Sequence, residues 1–382
     1  MEKRPIYFDY MATTPVDARV IECMLPYLGV EGDFGNPAST THVYGQMAAR
    51  AIEHARTQIA DVVGGVSPES IIFTSGATEA NNLAILGSVG FYKRKGQHII
   101  TMSTEHKAVL DSFKALEKKG FEVTYLSPKS DGLLDLDKLI QALRPDTILV
   151  STMQVNNEIG VIQDIQAIGE LLQGKGILFH VDAAQSIGRL AIDLLKLPVD
   201  LMSFSAHKAY GPKGVGALYV RQKPRVRLQA QSFGGGHEGG LRSGTLPTHQ
   251  IVGMGEAFAL AESLRIEEQA RILKLRTLFL VGVTNLKNVR VNGDLTERIA
   301  GNLNLCFQGL ENSELLMKLH GLAVSTTSAC TSSRQASSHV LLALGLSHAD
   351  AQSSLRFSFG RFTTEDEVKK AVKLINDQLL TI

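Results

Sequence analysis

Seven short runs of β-branched and apolar residues, most of them separated by helical stretches, constrain the fold of this chain more than any other feature. They are Ser70 to Thr74, His98 to Met102, Glu122 to Leu126, Thr147 to Met153, Ile177 to Val181, Val199 to Ser205 and Val215 to Val220. Between them, Ala80 to Gly87 reads as helix, and Ile165 to Leu172 carries apolar residues at helical spacing. Near-continuous apolar strands alternating with helices call for a mostly parallel sheet covered on both faces. The expectation is an α/β chain with a mostly parallel, seven-stranded sheet in a large domain. At 382 residues a second, smaller domain is also expected. After Glu262 the texture shifts to a charged helix, Glu267 to Leu280, then shorter strands and a closing helix. Residues 16–262 are therefore assigned to the large domain, and 1–15 with 263–382 to a smaller α+β domain.

Charge and apolar patterning exclude several classes. A formal net charge of +1 gives no reason to expect nucleic acid or an anionic membrane as partner. No apolar run reaches the roughly 18 residues needed to span a bilayer, and the first residues lead into a mixed strand and not a signal core. Cys23, Cys306 and Cys330 form neither a disulfide framework nor a zinc pattern. A reducing, cytoplasmic setting follows as the expectation.

In open α/β sheets, ligands bind beyond the carboxyl ends of the strands, and the residues that can do chemistry fall there. Ser75-Gly76-Ala77-Thr78 opens a helix with small residues and a hydroxyl, which suits either a plain N-cap or a bound phosphate. His106 follows the second run and can stack on a flat cofactor and move protons, or sit at a helix start on the surface. Asn157 follows the fourth run, and Asp182 and Gln185 the fifth. A carboxylate at Asp182 must find a partner, and a structural cation or a pyridinium nitrogen would serve. Lys208 lies between an apolar run and the Gly211-Pro212-Lys213-Gly214 turn, where lost solvent would free its amine to attack a carbonyl. A Schiff base to pyridoxal phosphate is one use of such a lysine, and an ordinary loop lysine is the other reading. Their order along one sheet, phosphate cup, ring stacker, ring-nitrogen carboxylate and lysine, is more specific than any single member.

Cys23 lies on an amphipathic helix and Cys306 in an alternating strand, so both read as packing. Cys330 sits among Ser325-Thr326-Thr327-Ser328-Ala329 and Thr331-Ser332-Ser333, a stretch too polar to bury itself, and reads as an exposed thiol that is used. Gly234-Gly235-Gly236-His237-Glu238-Gly239 fits G-x-G-x-x-G, but neither a clean strand before it nor a helix after it supports a dinucleotide site.

These residues resemble the cysteine desulfurases of the IscS/NifS type, class-V aminotransferase relatives that feed iron–sulfur cluster assembly. The resemblance covers nearly the whole chain. Its most specific pieces are Thr74-Ser75-Gly76-Ala77-Thr78-Glu79, Thr104-Glu105-His106-Lys107, Val155-Asn156-Asn157-Glu158-Ile159-Gly160, His207-Lys208, Arg242-Ser243-Gly244-Thr245 and Ser328-Ala329-Cys330. It implies a homodimeric transferase of fold type I that uses pyridoxal 5'-phosphate. Lys208 would be its Schiff-base lysine, with Asp182 at the ring nitrogen, His106 stacked on the ring, and Gln185 and Asn157 at its edge. Ala77, Thr78, Ser205 and His207 would hold the phosphate, with Thr245 reaching in from the second subunit. Arg356 would clamp the carboxylate of L-cysteine, aided by Asn157.

Cys330, on a loop of about residues 325–339, would take the sulfur as a persulfide and leave L-alanine. The implied acceptor is an iron–sulfur scaffold protein or another carrier, with tRNA thiolation as a further outlet. No resident metal is implied, although Cys330 would be the contact for a nascent iron–sulfur cluster. A selenocysteine lyase or aminotransferase on the same fold is the competing reading, and a non-catalytic assembly partner a more distant one. The chain departs from the common pattern in reading Ser333-Arg334-Gln335-Ala336-Ser337 after Cys330, and Ala206 where glycine is frequent. Many relatives also continue beyond the position of Ile382, which leads to the expectation of weak or differently sited scaffold binding.

Overall fold

The computed structural model describes residues 4–284, 286, 288–326 and 337–379. Its centre is a seven-stranded sheet built from β1 (Ile71–Thr74), β2 (His98–Met102), β3 (Glu122–Leu126), β4 (Thr147–Met153), β5 (Leu178–Asp182), β6 (Leu201–Ser205) and β7 (Gly216–Val220). The strand order is β1-β7-β6-β5-β4-β2-β3. All pairings are parallel except those of β7, which runs antiparallel to both β1 and β6. Adjacent residues feed opposite cores, as the period of two requires. Phe73, Ile100, Val150 and Met202 enter one apolar cluster, while Ile72, Ile99, Leu149 and Leu201 enter the other. Each fully buried side chain of this size contributes roughly 1.5–3 kcal/mol, so a slip of one residue in register would be costly.

Helices cover both faces. The helix α1 (Val43–Val62) packs Ile52, Ala55 and Ile59 into the first cluster. The helices α2 (Ala77–Tyr92) and α3 (Lys107–Glu117) pack Leu83, Val89, Val109 and Phe113 into the second. The short α4 (Ile165–Leu172) agrees with its sequence pattern to the residue.

A continuous helix, α5 (Thr248–Val283), runs through the point where composition shifts. The expected charged helix is thus the second half of a 36-residue element. Its first half gives Ile251, Met254 and Phe258 to the core of the large sheet. Its second half gives Ile272, Leu275 and Phe279 to a separate core with Phe8, Leu303, Leu305 and Phe357. The change in composition marks a change of packing partner, not a break in the chain. Around the second core lies a four-stranded antiparallel sheet of β8 (Val289–Val291), β9 (Asn302–Phe307), β10 (Ser325–Thr326) and β11 (Ser354–Ser358), ordered β10-β11-β9-β8. The N-terminal strand Ile6–Tyr7 pairs in parallel with Leu322–Ala323.

The closing helix α6 (Glu365–Leu379) begins with a reciprocal cap. Glu367 N–H donates to Thr364 Oγ1 at 3.2 Å, and Thr364 N–H donates to the Glu367 carboxylate at 2.8 Å. Val368, Ala371, Ile375 and Leu379 then face the second core. Among the described residues no helix is long and apolar enough to cross a membrane.

Candidate active site

The carboxyl ends of the parallel strands open into a cavity of about 580 Å³. The size is that of a pocket for a cofactor or other small molecule. At one end lies the first turn of α2, whose leading N–H groups have no intrahelical partner. Gly76 precedes that turn with φ +153°, and its Cα would lie only 2.6 Å from a Cβ at position 216. Glycine at the start of β7 therefore lets the helix start settle directly on the sheet. Ala77, Thr78, Ser205 and His207 line this end together. Glu79 closes it, paired with Arg242 at 2.9 Å.

Asp182, the last residue of β5, faces the middle of the cavity. Asn81 Nδ2 donates to one carboxylate oxygen at 2.7 Å, and the Ala184 N–H donates to the other at 2.9 Å. His106 caps α3: its Nδ1 accepts from the Ala108 N–H at 3.1 Å. Burial lowers its pKa, Asp182 pulls the other way, and Lys208 adds to the lowering. The neutral ring that results, with Nδ1 an acceptor, carries its proton on Nε2. Burial, with Lys208 and Lys213 nearby, likewise brings His207 down to about 4, and its Nδ1 lies 3.1 Å from Thr13 Oγ1.

Lys208 follows β6 by one short 3-10 turn, Ala206–Lys208. Its Nζ donates to the carbonyls of Met11 and Ala12 at 2.6 and 2.7 Å. Gln185 Nε2 donates to the same Met11 carbonyl at 2.9 Å. The N-terminal segment is thus part of the cavity wall. Arg356, on β11, reaches in from the second core. Its guanidinium donates to the Asn157 carbonyl at 2.7 Å, Asp9 Oδ1 at 2.7 Å and Ser325 Oγ at 3.0 Å. Its Nε is buried and has no partner among the described residues.

The structure thus gathers ten of the residues singled out from sequence: those of the helix-start end, and His106, Asn157, Asp182, Gln185, Lys208 and Arg356. Thr245 is exposed and outside this chain's cavity. Cys330 lies outside the described residues. Cys306 is buried in β9 and Cys23 half-buried, as packing requires. The glycine-rich Gly234–Gly239 stretch neither follows a strand nor opens an α-helix, so it is no dinucleotide fingerprint. Sequence reasoning missed Asn81, Asp9 and the buried acids Glu105 and Glu158. Of these only Asn81 carried a local signal, one helical turn beyond Thr78.

Residues 6–371 match the class-V aminotransferase model. The chain belongs to the class-V aminotransferase family. Within that family it is 59% identical over 375 residues to the cysteine desulfurase IscS of Ruthia magnifica subsp. Calyptogena magnifica, covering 98% of this chain and 93% of that protein. It is 60% identical over 373 residues to the IscS of Vibrio campbellii, covering 98% and 92%. Among solved structures, a NifS-like protein superposes with a TM-score of 0.92 at 38% identity, covering 99% of this chain and all of the other. SspA in complex with cysteine gives a TM-score of 0.82 at 38% identity, covering 94% and 100%. The sheet is accordingly that of a fold-type I class-V aminotransferase.

Proposed function

We propose that this class-V aminotransferase is a cysteine desulfurase that uses pyridoxal 5'-phosphate to convert L-cysteine to L-alanine, with Cys330 taking the sulfur as a persulfide. One observation carries the reading. Lys208, Asp182, His106 and Arg356 share one cavity in a chain 59–60% identical to proteins named cysteine desulfurase. The structure of SspA with cysteine supports the same substrate.

The donor set fits the cofactor. A phosphate suits the open N–H groups of Ala77 and Thr78 with Ser205 and His207 beside them. A pyridinium nitrogen suits Asp182, already oriented by Asn81. The buried Nε of Arg356, without a partner among the described residues, suits a substrate carboxylate. Bound there, pyridoxal phosphate would supply an electron sink for the substrate α-carbon. Lys208 is then both the attachment point and the base for the α-proton. Neutral His106 holds an N–H toward the cavity, Gln185 and Asn157 flank the ring edge, and Arg356 orients the substrate. The Cys330 thiolate would attack the substrate sulfur as the Cβ–S bond breaks, that bond's electron pair staying on the substrate carbon, which takes up a proton to leave L-alanine. The persulfide would then hand its outer sulfur to an iron–sulfur scaffold protein or another acceptor in the cytoplasm.

Residues 16–262 are assigned to one domain and 1–15 with 263–382 to the other, a reading supported by the two cores that the halves of α5 serve. Thr245 is assigned to the phosphate of a second copy of the chain, in keeping with its exposed position. The test is direct. Protein reconstituted with pyridoxal phosphate and given L-cysteine should yield one alanine per sulfur released. An oxo acid in place of alanine would return the chain to aminotransferase chemistry.

A further inference from the structure

Two buried acids, Glu158 on the cavity wall and Glu105 beside His106, have no part in the chemistry above. Glu158 follows Asn157 and is only 5% exposed. Burial lifts its carboxyl to about 7, with Ser338, Arg356 and Lys107 each acting in the opposite direction. Ser338 Oγ donates a short hydrogen bond to it. Ser338 is itself buried and caps the helix His339–Ala343, accepting from the Leu341 N–H at 3.1 Å. The next residue is attached as well: a ring nitrogen of His339 lies 3.0 Å from the carbonyl of Glu105. Glu105, fully buried, accepts from the Met153 N–H at 2.8 Å.

Both attachment points are rigid. Asn156 Oδ1 accepts from the N–H groups of Glu158 and Ile159 at 2.8 and 3.0 Å, and its Nδ2 donates to the Thr104 carbonyl at 3.0 Å. The turn that carries Asn157 is thereby tied to the turn that carries His106. The Glu158 carbonyl accepts from Asn302 and Asn304, at 3.3 and 3.2 Å, which fastens the same turn to β9. The pair Ser338-His339 therefore docks on two fixed turns, each adjacent to a residue of the site. Both residues follow Cys330 closely in the chain.

We propose that Glu158 is a positioning residue for sulfur transfer, its buried carboxyl holding Ser338 so that the chain leading back to Cys330 keeps a fixed origin beside Asn157 and His106. A buried carboxyl kept away from water is costly unless it is hydrogen-bonded, and the Ser338 hydroxyl donating to it is a directional tie. The inference rests on the reading of Cys330 as sulfur acceptor.

Holoenzyme separates the two halves of the reaction. Binding of L-cysteine, followed by its change in the visible spectrum, needs the cavity but not Cys330. Alanine formation needs both. Ser338→Ala and Glu158→Ala should leave the apparent Kd for L-cysteine within about twofold while lowering kcat for alanine at least tenfold. Glu158→Gln keeps an oxygen acceptor and should recover kcat to within about threefold of wild type. Ser338→Asp keeps the helix cap but replaces the donor with a second acid, and should fall with Ser338→Ala. Normal kcat in Ser338→Asp would show that only the cap matters and overturn the proposal. So would a parallel loss of binding and turnover in all variants, or a Glu158→Gln variant as impaired as Glu158→Ala. Wild-type protein that forms no alanine at all would instead sink the desulfurase reading itself.

Discussion

Replacing Asn81 by leucine tests whether Asp182 is a prepared partner for a cofactor or an ordinary buried acid. The two side chains are 0% and 6% exposed and meet at 2.7 Å. Leucine has the same branching and the same number of side-chain heavy atoms, so the change removes the donor while keeping the side chain's outline, with somewhat bulkier methyl groups in place of the amide. A hydrogen bond to a charged group contributes about 1.5–3 kcal/mol. Unfolding entropy near 2.1 cal/mol/K per residue over 382 residues is roughly 0.8 kcal/mol/K, so a loss of about 2 kcal/mol lowers Tm by about 2–3 °C. The Ala184 N–H, at 2.9 Å, keeps only one oxygen in place. The other is then free to turn away from the cavity, and affinity for pyridoxal phosphate should fall roughly tenfold, equivalent to about 1.4 kcal/mol. Differential scanning calorimetry without cofactor and spectroscopic titration with it measure the two effects. A variant with unchanged Tm and unchanged cofactor affinity would refute the role given to Asn81 and, with it, the preorganisation of Asp182.

Further outcomes follow from the same geometry. Lys208→Ala should still bind pyridoxal phosphate through the helix-start contacts, yet borohydride should fix no cofactor to the chain, and cysteine turnover should drop to a trace. Lys208→Ala chains mixed with chains weakened at Thr245 should regain part of the activity if each site is completed by a second copy, and a fully active monomer in ultracentrifugation would exclude this. His180 is buried between the hydroxyls of Ser151 and Ser203 at 2.8 and 2.9 Å, and burial draws its pKa down to about 3. The unfolded chain, with a histidine near 6.5, takes up the proton first. The stability held by the neutral ring is therefore complete above pH 6.5 and is lost toward pH 3, at about 1.4 kcal/mol per pH unit. Urea unfolding of His180→Gln should show a shallower acid dependence than wild type, and identical slopes would contradict the assignment.

Most of the fold was legible because its signals are local. The strands at His98, Glu122 and Thr147 need only a run of apolar, β-branched residues and its end, and the structure keeps those bounds. Strand direction is not local, and nothing in Gly216–Val220 announces that it runs antiparallel to both neighbours. The helix expected from Ala80 begins at Ala77 because the small residues at the proposed phosphate end are its first turn. The helix through Glu262 reads as shorter from its sequence than it is, since its two halves face different cores. Among site residues, Lys208 and Asp182 announce themselves as polar groups at the ends of apolar strands. Asp9 does not, because its partner Arg356 is 347 positions away. Glu158 carries no local signal beyond its motif, because its partner Ser338 lies 180 positions further on.

The central claim is that substrate sulfur passes through Cys330, and mass spectrometry of the intact and digested holoenzyme after brief exposure to L-cysteine measures it directly. The account expects one added sulfur on the peptide containing Cys330, alanine in equal amount, and neither product in Cys330→Ser, which should still show the spectral change on binding cysteine. Added sulfur found mainly on Cys23 or Cys306, or alanine formed at the wild-type rate by Cys330→Ser, would contradict it.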